Sequence, residues 1–295
     1  MKNSHRILDA FQPEKSFFIG IDSDGCVFDT MEIKQKQCFC PNTIECWNLQ
    51  AIAEYVAEVI EFVNLYSIFR GTNRFPSLVM VMDFLRERSD VVDGSSLIPD
   101  MTPLSAWIEQ ETQLGNLTLE RYAKTVNDPI VTTTLQWSLA VNATIEKIVK
   151  AVPSFPFVRE SLKKMIEKAD TIVVSQTPLE ALEREWEEHH MSQFVRLIAG
   201  QEYGSKAEHL TYAAKGKYPD DNILMIGDAL GDLNAAKQNG CLFYPINPGR
   251  ETASWERFYQ EGLEKFFQGT YAGAYEETVI TEFHSYLPAT PPWKR

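Results

Sequence analysis

The chain has 295 residues, 44% of them hydrophobic and 23% charged, the balance of a folded globular protein rather than a disordered or fibrous one. Lysine and arginine number 28 against 41 acidic residues, a net charge of -13, which would repel a nucleic-acid backbone. The longest apolar runs, such as LVMVM at 78–82, fall far short of the ~20 residues a membrane helix needs. The first residues carry charge and no apolar export signal, so neither a nucleic-acid nor a membrane partner is expected and a cytoplasmic location follows by default. The length suits about two domains, or one domain with a large insertion. It does not fix the oligomeric state.

In chain order, the first landmark is FFIGI at 17–21, an apolar run that predicts a buried strand. It ends in Asp22, Asp24 and Asp29, with Gly25 allowing a tight turn. Residues 31–155 differ in character. Helical periodicity runs through 51–69, 74–88, 103–113, 117–126 and 132–152, with Gly71, Asp93-Gly94, Gly115 and Asp128-Pro129 as breakers. Five cysteines, Cys26, Cys38, Cys40, Cys46 and Cys241, make an odd count without an export signal and favour free thiols. The CFCPNTIEC spacing is not a zinc pattern, and buried thiols are the preferred reading. Between two of the helical segments, SIFRGTNRFPS at 67–77 holds Arg70, Asn73 and Arg74. These residues suit either an anionic or hydroxyl-bearing substrate or a plain interhelical turn.

The prolines of PSFPF at 153–157 mark a connector back to alternating strands and helices. TIVVS at 171–175, NILMIGD at 222–228 and CLFYPI at 241–246 read as strands, with helices over 159–169, 179–191 and 206–216. Alternation of this kind predicts an α/β fold, a Rossmann-like parallel sheet flanked by helices, in which polar clusters gather at the carboxyl ends of the strands. A last amphipathic segment, ASWERFYQEGLEKFF, precedes a loosely patterned tail.

The chemistry-bearing residues fall at those strand ends. Asp22 and Asp24 repel each other unless a cation or a shared proton intervenes, and GDALGD adds Asp228 and Asp232 at the end of another strand. Hard cations such as Mg2+ take such carboxylates. Helix capping is the plainer role for Asp232. Ser175 offers a hydroxyl, and Lys206 opens a helix, where a cation is unfavourable for the dipole.

The order of these motifs resembles the haloacid-dehalogenase-like superfamily of phosphohydrolases and phosphotransferases. DSDGCVFD resembles its first motif, Ser175 its second, Lys206 its third and GDALGD its fourth. The resemblance implies that Asp22 is a nucleophile forming an aspartyl-phosphate and that Asp24 is a general acid/base. Ser175 and Lys206 would bind the phosphoryl group. Asp22, the backbone carbonyl of Asp24, and Asp228 would hold Mg2+, with Asp232 beside them. Asp24 disfavours dehalogenation. Cys26 stands where threonine is commonest, and neither Lys34 nor Lys36 matches a phosphonate-cleaving pattern.

The implied organisation is a core of residues 1–30 and 156–250, a helical cap domain at 31–155 that closes over the site, and a C-terminal extension, 251–295, packed on the core. The expected function is a Mg2+-dependent phosphatase acting on a small phosphorylated metabolite. A phosphotransferase or phosphomutase, or a non-catalytic binding module, is the alternative.

Overall fold

The structure, a computed structural model, describes residues 5–91 and 97–294. The Asp93-Gly94 breaker lies outside them. The chain divides into two compact units, Met1–Thr30 with Ala151–Leu287, and Met31–Lys150 with Pro288–Arg295.

The first unit is built on five parallel strands: β1 (Phe17–Ile21), β2 (Ala169–Val174), β3 (Leu197–Ala199), β4 (Ile223–Gly227) and β5 (Leu242–Pro245). Their order is β3-β2-β1-β4-β5. This is the α/β parallel sheet that the apolar runs predict. β2, β4 and β5 are buried along their whole length, as expected of strands covered on both faces. Helices Val158–Lys168, Leu179–Glu188, Lys206–Ala213 and Leu230–Asn239 connect the later strands. The first buries Val158, Ser161, Leu162 and Met165, a spacing of three and four residues that lines one face. Truncating Leu162 to alanine would cost about 2–5 kcal/mol.

β3 is absent from the strands read in the sequence. It is three residues long at the sheet edge, with Leu197 and Ile198 half-buried and Ala199 buried, too short to carry a period of its own. The opposite edge, β5, is sealed by the C-terminal segment. Phe243 N–H donates to Glu276 Oε1 (2.8 Å) and Tyr271 Oη–H donates to the Phe243 carbonyl (2.7 Å), which blunts an edge otherwise open to pairing. Trp255, Phe258, Leu263, Phe266 and Tyr271 share one apolar cluster with Ile19, Leu224 and Tyr244. A helix at Ala274–Tyr286 occupies the stretch whose pattern was loose.

Two boundaries differ from the expected ones. Residues 151–155 belong to the α/β unit, where the Phe155 N–H donates to the Val27 carbonyl (3.0 Å). The extension is split: 251–287 packs on the core, whereas the residues from Pro288 onward belong to the helical unit. There Ile68 N–H donates to the Pro288 carbonyl (3.4 Å), and Trp293 packs edge-on against Phe62 with ring centres 5.4 Å apart.

The helical unit contains Ala53–Asn64, Arg74–Glu87, Thr102–Gln110, Asn116–Val126 and Pro129–Ile148. Asp128 caps the last, its Oδ1 accepting from the Ile130 and Val131 N–H groups (2.8 and 3.3 Å), with Pro129 at the first helical position. Phe39, Trp107 and Trp137 anchor its core. The cysteine segment forms a π-helical stretch, Lys34–Phe39, followed by helix Cys40–Cys46. Its thiols are free, and no cysteine joins a metal-type cluster among the described residues.

Candidate active site

Three neighbouring strands each deliver one polar residue at the position immediately after their last strand residue. Asp22 follows β1, Ser175 follows β2 and Asp228 follows β4. The register aligns them, because Ile21 pairs with Val173 on one side and Ile226 on the other. Asp22 N–H continues the ladder by donating to the Ile226 carbonyl (3.0 Å), and Ser175 N–H does the same to Ala199 (3.0 Å). The chain adds strands on one side of β1 and then crosses to the other. This is the switch point where open α/β sheets bind ligands.

The centre is a group of three buried carboxylates. Asp22, Asp228 and Asp232 each offer an oxygen, and these oxygens lie within 4.8 Å of one another. Asp232 stands in the first turn of helix Leu230–Asn239, where its Oδ2 accepts from the Asp228 and Ala229 N–H groups (3.2 and 3.1 Å). It is therefore a helix cap and a member of the cluster at once. Gly227 permits this approach, since a Cβ there would lie 2.5 Å from Asp232 Oδ2 and closer still to the rest of the side chain.

Lys206 enters from the first turn of its own helix. Its Nζ donates to Asp22 Oδ2 (2.7 Å) and Asp232 Oδ1 (2.6 Å), which accounts for a cation at a helix start. Burial works against the Lys206 charge, but the two carboxylates outweigh it and raise its pKa above the ordinary value. Burial raises the Asp22 pKa well above the usual carboxylate range, with Lys206 opposing and Asp232 and Asp228 adding to the rise. The three buried carboxylates, two of them bonded to one ammonium, offer the kind of oxygen ligands that a hard divalent cation prefers. A cation there would relieve the repulsion that raises Asp22.

Asp24 is turned to a different task. Its Oδ1 accepts from the Thr30 hydroxyl (2.5 Å) and its Oδ2 from the Thr177 hydroxyl (2.7 Å), and its carboxylate is not among the three clustered ones. Its expected metal contact is through the backbone carbonyl, which those bonds leave unaltered. Ser175 is buried, and its Oγ accepts from the Thr177 N–H (3.2 Å). The sequence alone does not single out Thr30 or Thr177. The signal for Thr177 is the SQT that follows β2, a second hydroxyl two residues beyond Ser175.

Cys26 is fully buried, and burial raises its pKa well above the ordinary thiol value. It is thus a packing residue, its Sγ near the Ile226 carbonyl (3.9 Å). Arg70, Asn73 and Arg74 are engaged inside the helical unit. Arg70 is buried and donates to the Leu65 carbonyl (2.9 Å). Asn73 caps helix Arg74–Glu87 through Phe75 N–H (3.1 Å). Arg74 donates to the Ser138 carbonyl, Ser138 Oγ and Asn142 Oδ1 (3.3, 3.0 and 2.6 Å). These are the contacts of an interhelical turn.

DSDGCVFD, Ser175, Lys206 and GDALGD are thus brought together at the carboxyl end of the parallel sheet, and the helical unit is inserted in the chain after the first motif. No protein-family model matches the chain, and no curated protein matches it. Among solved structures, the chain is similar to a haloacid dehalogenase-like family hydrolase from Xanthomonas campestris, at 12% identity and a TM-score of 0.46, over 88% of this chain and 96% of that one. It is also similar to a predicted phosphoglycolate phosphatase from Haemophilus somnus, at 15% identity and TM-score 0.47, over 79% and 86% of the two chains. A third is the HAD-hydrolase YfnB from Bacillus subtilis bound to magnesium, at 10% identity and TM-score 0.40, over 78% and 86%. Among the described residues, no helix is long and apolar enough to cross a membrane.

Proposed function

We propose that the protein is a Mg2+-dependent phosphatase that hydrolyses a small phosphorylated metabolite through an aspartyl-phosphate on Asp22. The observation that carries this reading is the hydrogen bond from Lys206 to both Asp22 and Asp232 (2.7 and 2.6 Å) within a buried triple-carboxylate cluster. An acidic cluster serving only as helix cap would need neither Asp22 nor a buried ammonium.

Asp22 attacks phosphorus through a carboxylate oxygen as the bond to the leaving oxygen breaks. Asp24 gives that oxygen its proton and later takes one from the water that cleaves the acyl-phosphate, releasing inorganic phosphate and restoring Asp22. General acid/base help of this kind is worth ~10²–10⁴-fold, and splitting the hydrolysis into two displacements lowers each barrier. Thr30 and Thr177 hold the Asp24 carboxylate by its two oxygens. Lys206 offsets charge on Asp22 and the transferring group, and Ser175 offers its hydroxyl to a phosphoryl oxygen. Asp22, the backbone carbonyl of Asp24 and Asp228, with Asp232 beside them, would hold Mg2+, which would supply the positive charge that lets an anionic nucleophile meet an anionic phosphate.

Phosphate release from a panel of sugar, nucleotide and organic phosphates, measured with Mg2+ and with chelator, tests the reading. Metal-dependent release from at least one small monoester is expected. Release that chelation leaves unchanged would remove Mg2+ from the account.

A further inference from the structure

Ser23 stands between the proposed nucleophile and the proposed acid/base, and it is fully buried. Its N–H donates to Asp22 Oδ1 (2.8 Å), while its carbonyl accepts from the Cys26, Val27 and Phe28 N–H groups (3.3, 2.8 and 3.2 Å). One residue thus organises the turn and grips the Asp22 carboxylate. Lys206 holds the other oxygen. The Ser23 hydroxyl in turn accepts from Trp186 Nε1 (3.0 Å) and donates to Glu185 Oε2 (3.4 Å). Trp186 is also fully buried, on helix Leu179–Glu188, with its ring edge-to-face with Phe28 at 5.9 Å.

We propose that Trp186 is a positioning residue: its indole N–H fixes Ser23, and Ser23 N–H fixes the orientation from which Asp22 meets phosphorus. The inference rests on the phosphatase reading above. Indole has one donor and no acceptor, so a buried tryptophan takes any partner within reach. Here the partner is the residue whose backbone holds the nucleophile. A displacement of reacting groups by about 1 Å costs up to ~10²-fold in rate, so loosening this link should appear in turnover.

Trp186→Phe keeps the ring and removes the donor; Ser23→Ala removes the acceptor. With para-nitrophenyl phosphate and Mg2+ as probe, each variant is expected to lose about tenfold in kcat, within the range such misplacement produces, while KM stays within about twofold. The double variant should be no slower than the slower single, because both changes break one link. Thermal unfolding of each variant reports folding separately, and Ser23→Ala carries the test alone if Trp186→Phe fails to fold. Unchanged kcat with only a lower Tm, or losses that multiply in the double variant, would overturn the proposal. Asp22→Asn is the control. If it retains turnover, the nucleophile reading falls; if it is inactive while Trp186→Phe and Ser23→Ala keep full kcat, only the positioning role falls.

Discussion

Gly227 and Asp232 are so close that a methyl group on the glycine would sit 2.5 Å from Asp232 Oδ2 and nearer still to its Cβ and Cγ. The glycine's conformation is not the reason, because its φ is not in the left-handed region. The space is needed so that Asp232 can fold back on the strand end, cap its helix and meet Lys206. Gly227→Ala should therefore push Asp232 away, costing about 2–3 kcal/mol of stability, as overpacking does, together with most of the proposed phosphatase activity. Thermal unfolding and turnover measured side by side check this. Unaltered values in both would mean that Asp232 can sit elsewhere without loss.

A cation bound by the carboxylate cluster should stabilise the folded chain by mass action, by about 2.7 kcal/mol at a hundredfold excess over Kd. Thermal unfolding across a Mg2+ series should show Tm rising in the wild type and hardly at all in Asp228→Asn. Equal rises in both would place the binding elsewhere.

Arg74 has its guanidinium over the Phe39 ring at 5.3 Å and its NH1 on Ser138 and Asn142. Burial lowers its pKa to about 10. Arg74→Ala should weaken the helical unit by about 2 kcal/mol, from hydrogen bonds worth ~1 kcal/mol each, and leave KM unchanged. A KM increase in a variant of normal stability would restore Arg74 to the substrate side.

His209 is fully buried in helix Lys206–Ala213. Burial, with the Lys206 charge adding to it, pushes its pKa from 6.5 down to about 4. The unfolded chain therefore holds one more proton than the folded one between those two values. Stability falls as pH drops through that window, by up to about 3 kcal/mol from this residue, and is unaffected by it above the window. Urea unfolding at pH 7 and near pH 4.5 should show the loss in the wild type and a smaller one in His209→Gln. Equal losses would assign the acid sensitivity to other groups.

The sequence made the scaffold legible where signals were local. β1, β2, β4 and β5 each announce themselves as apolar runs, and the polar residues that matter stand one position beyond three of them. β3 is invisible because three edge residues, two half-buried and one buried, are too few to carry a pattern, and Ala274–Tyr286 because it buries only Val279 and Phe283. The links that organise the site are tertiary. Thr177 to Asp24 and Trp186 to Ser23 join residues 153 and 163 positions apart, and nothing in the local sequence of either partner specifies the other. Gly227 was readable as part of GD, but its steric purpose appears only once Asp232 is seen folded against it.

The central claim is that Asp22 is the nucleophile, and the most direct test compares Mg2+-dependent phosphate release by the wild type and by Asp22→Asn on the same phosphomonoester. Loss of a covalent nucleophile removes the main reaction path, so a fall of at least ~10³-fold is predicted, with the variant folded by thermal unfolding. Equal release by the two proteins would contradict it.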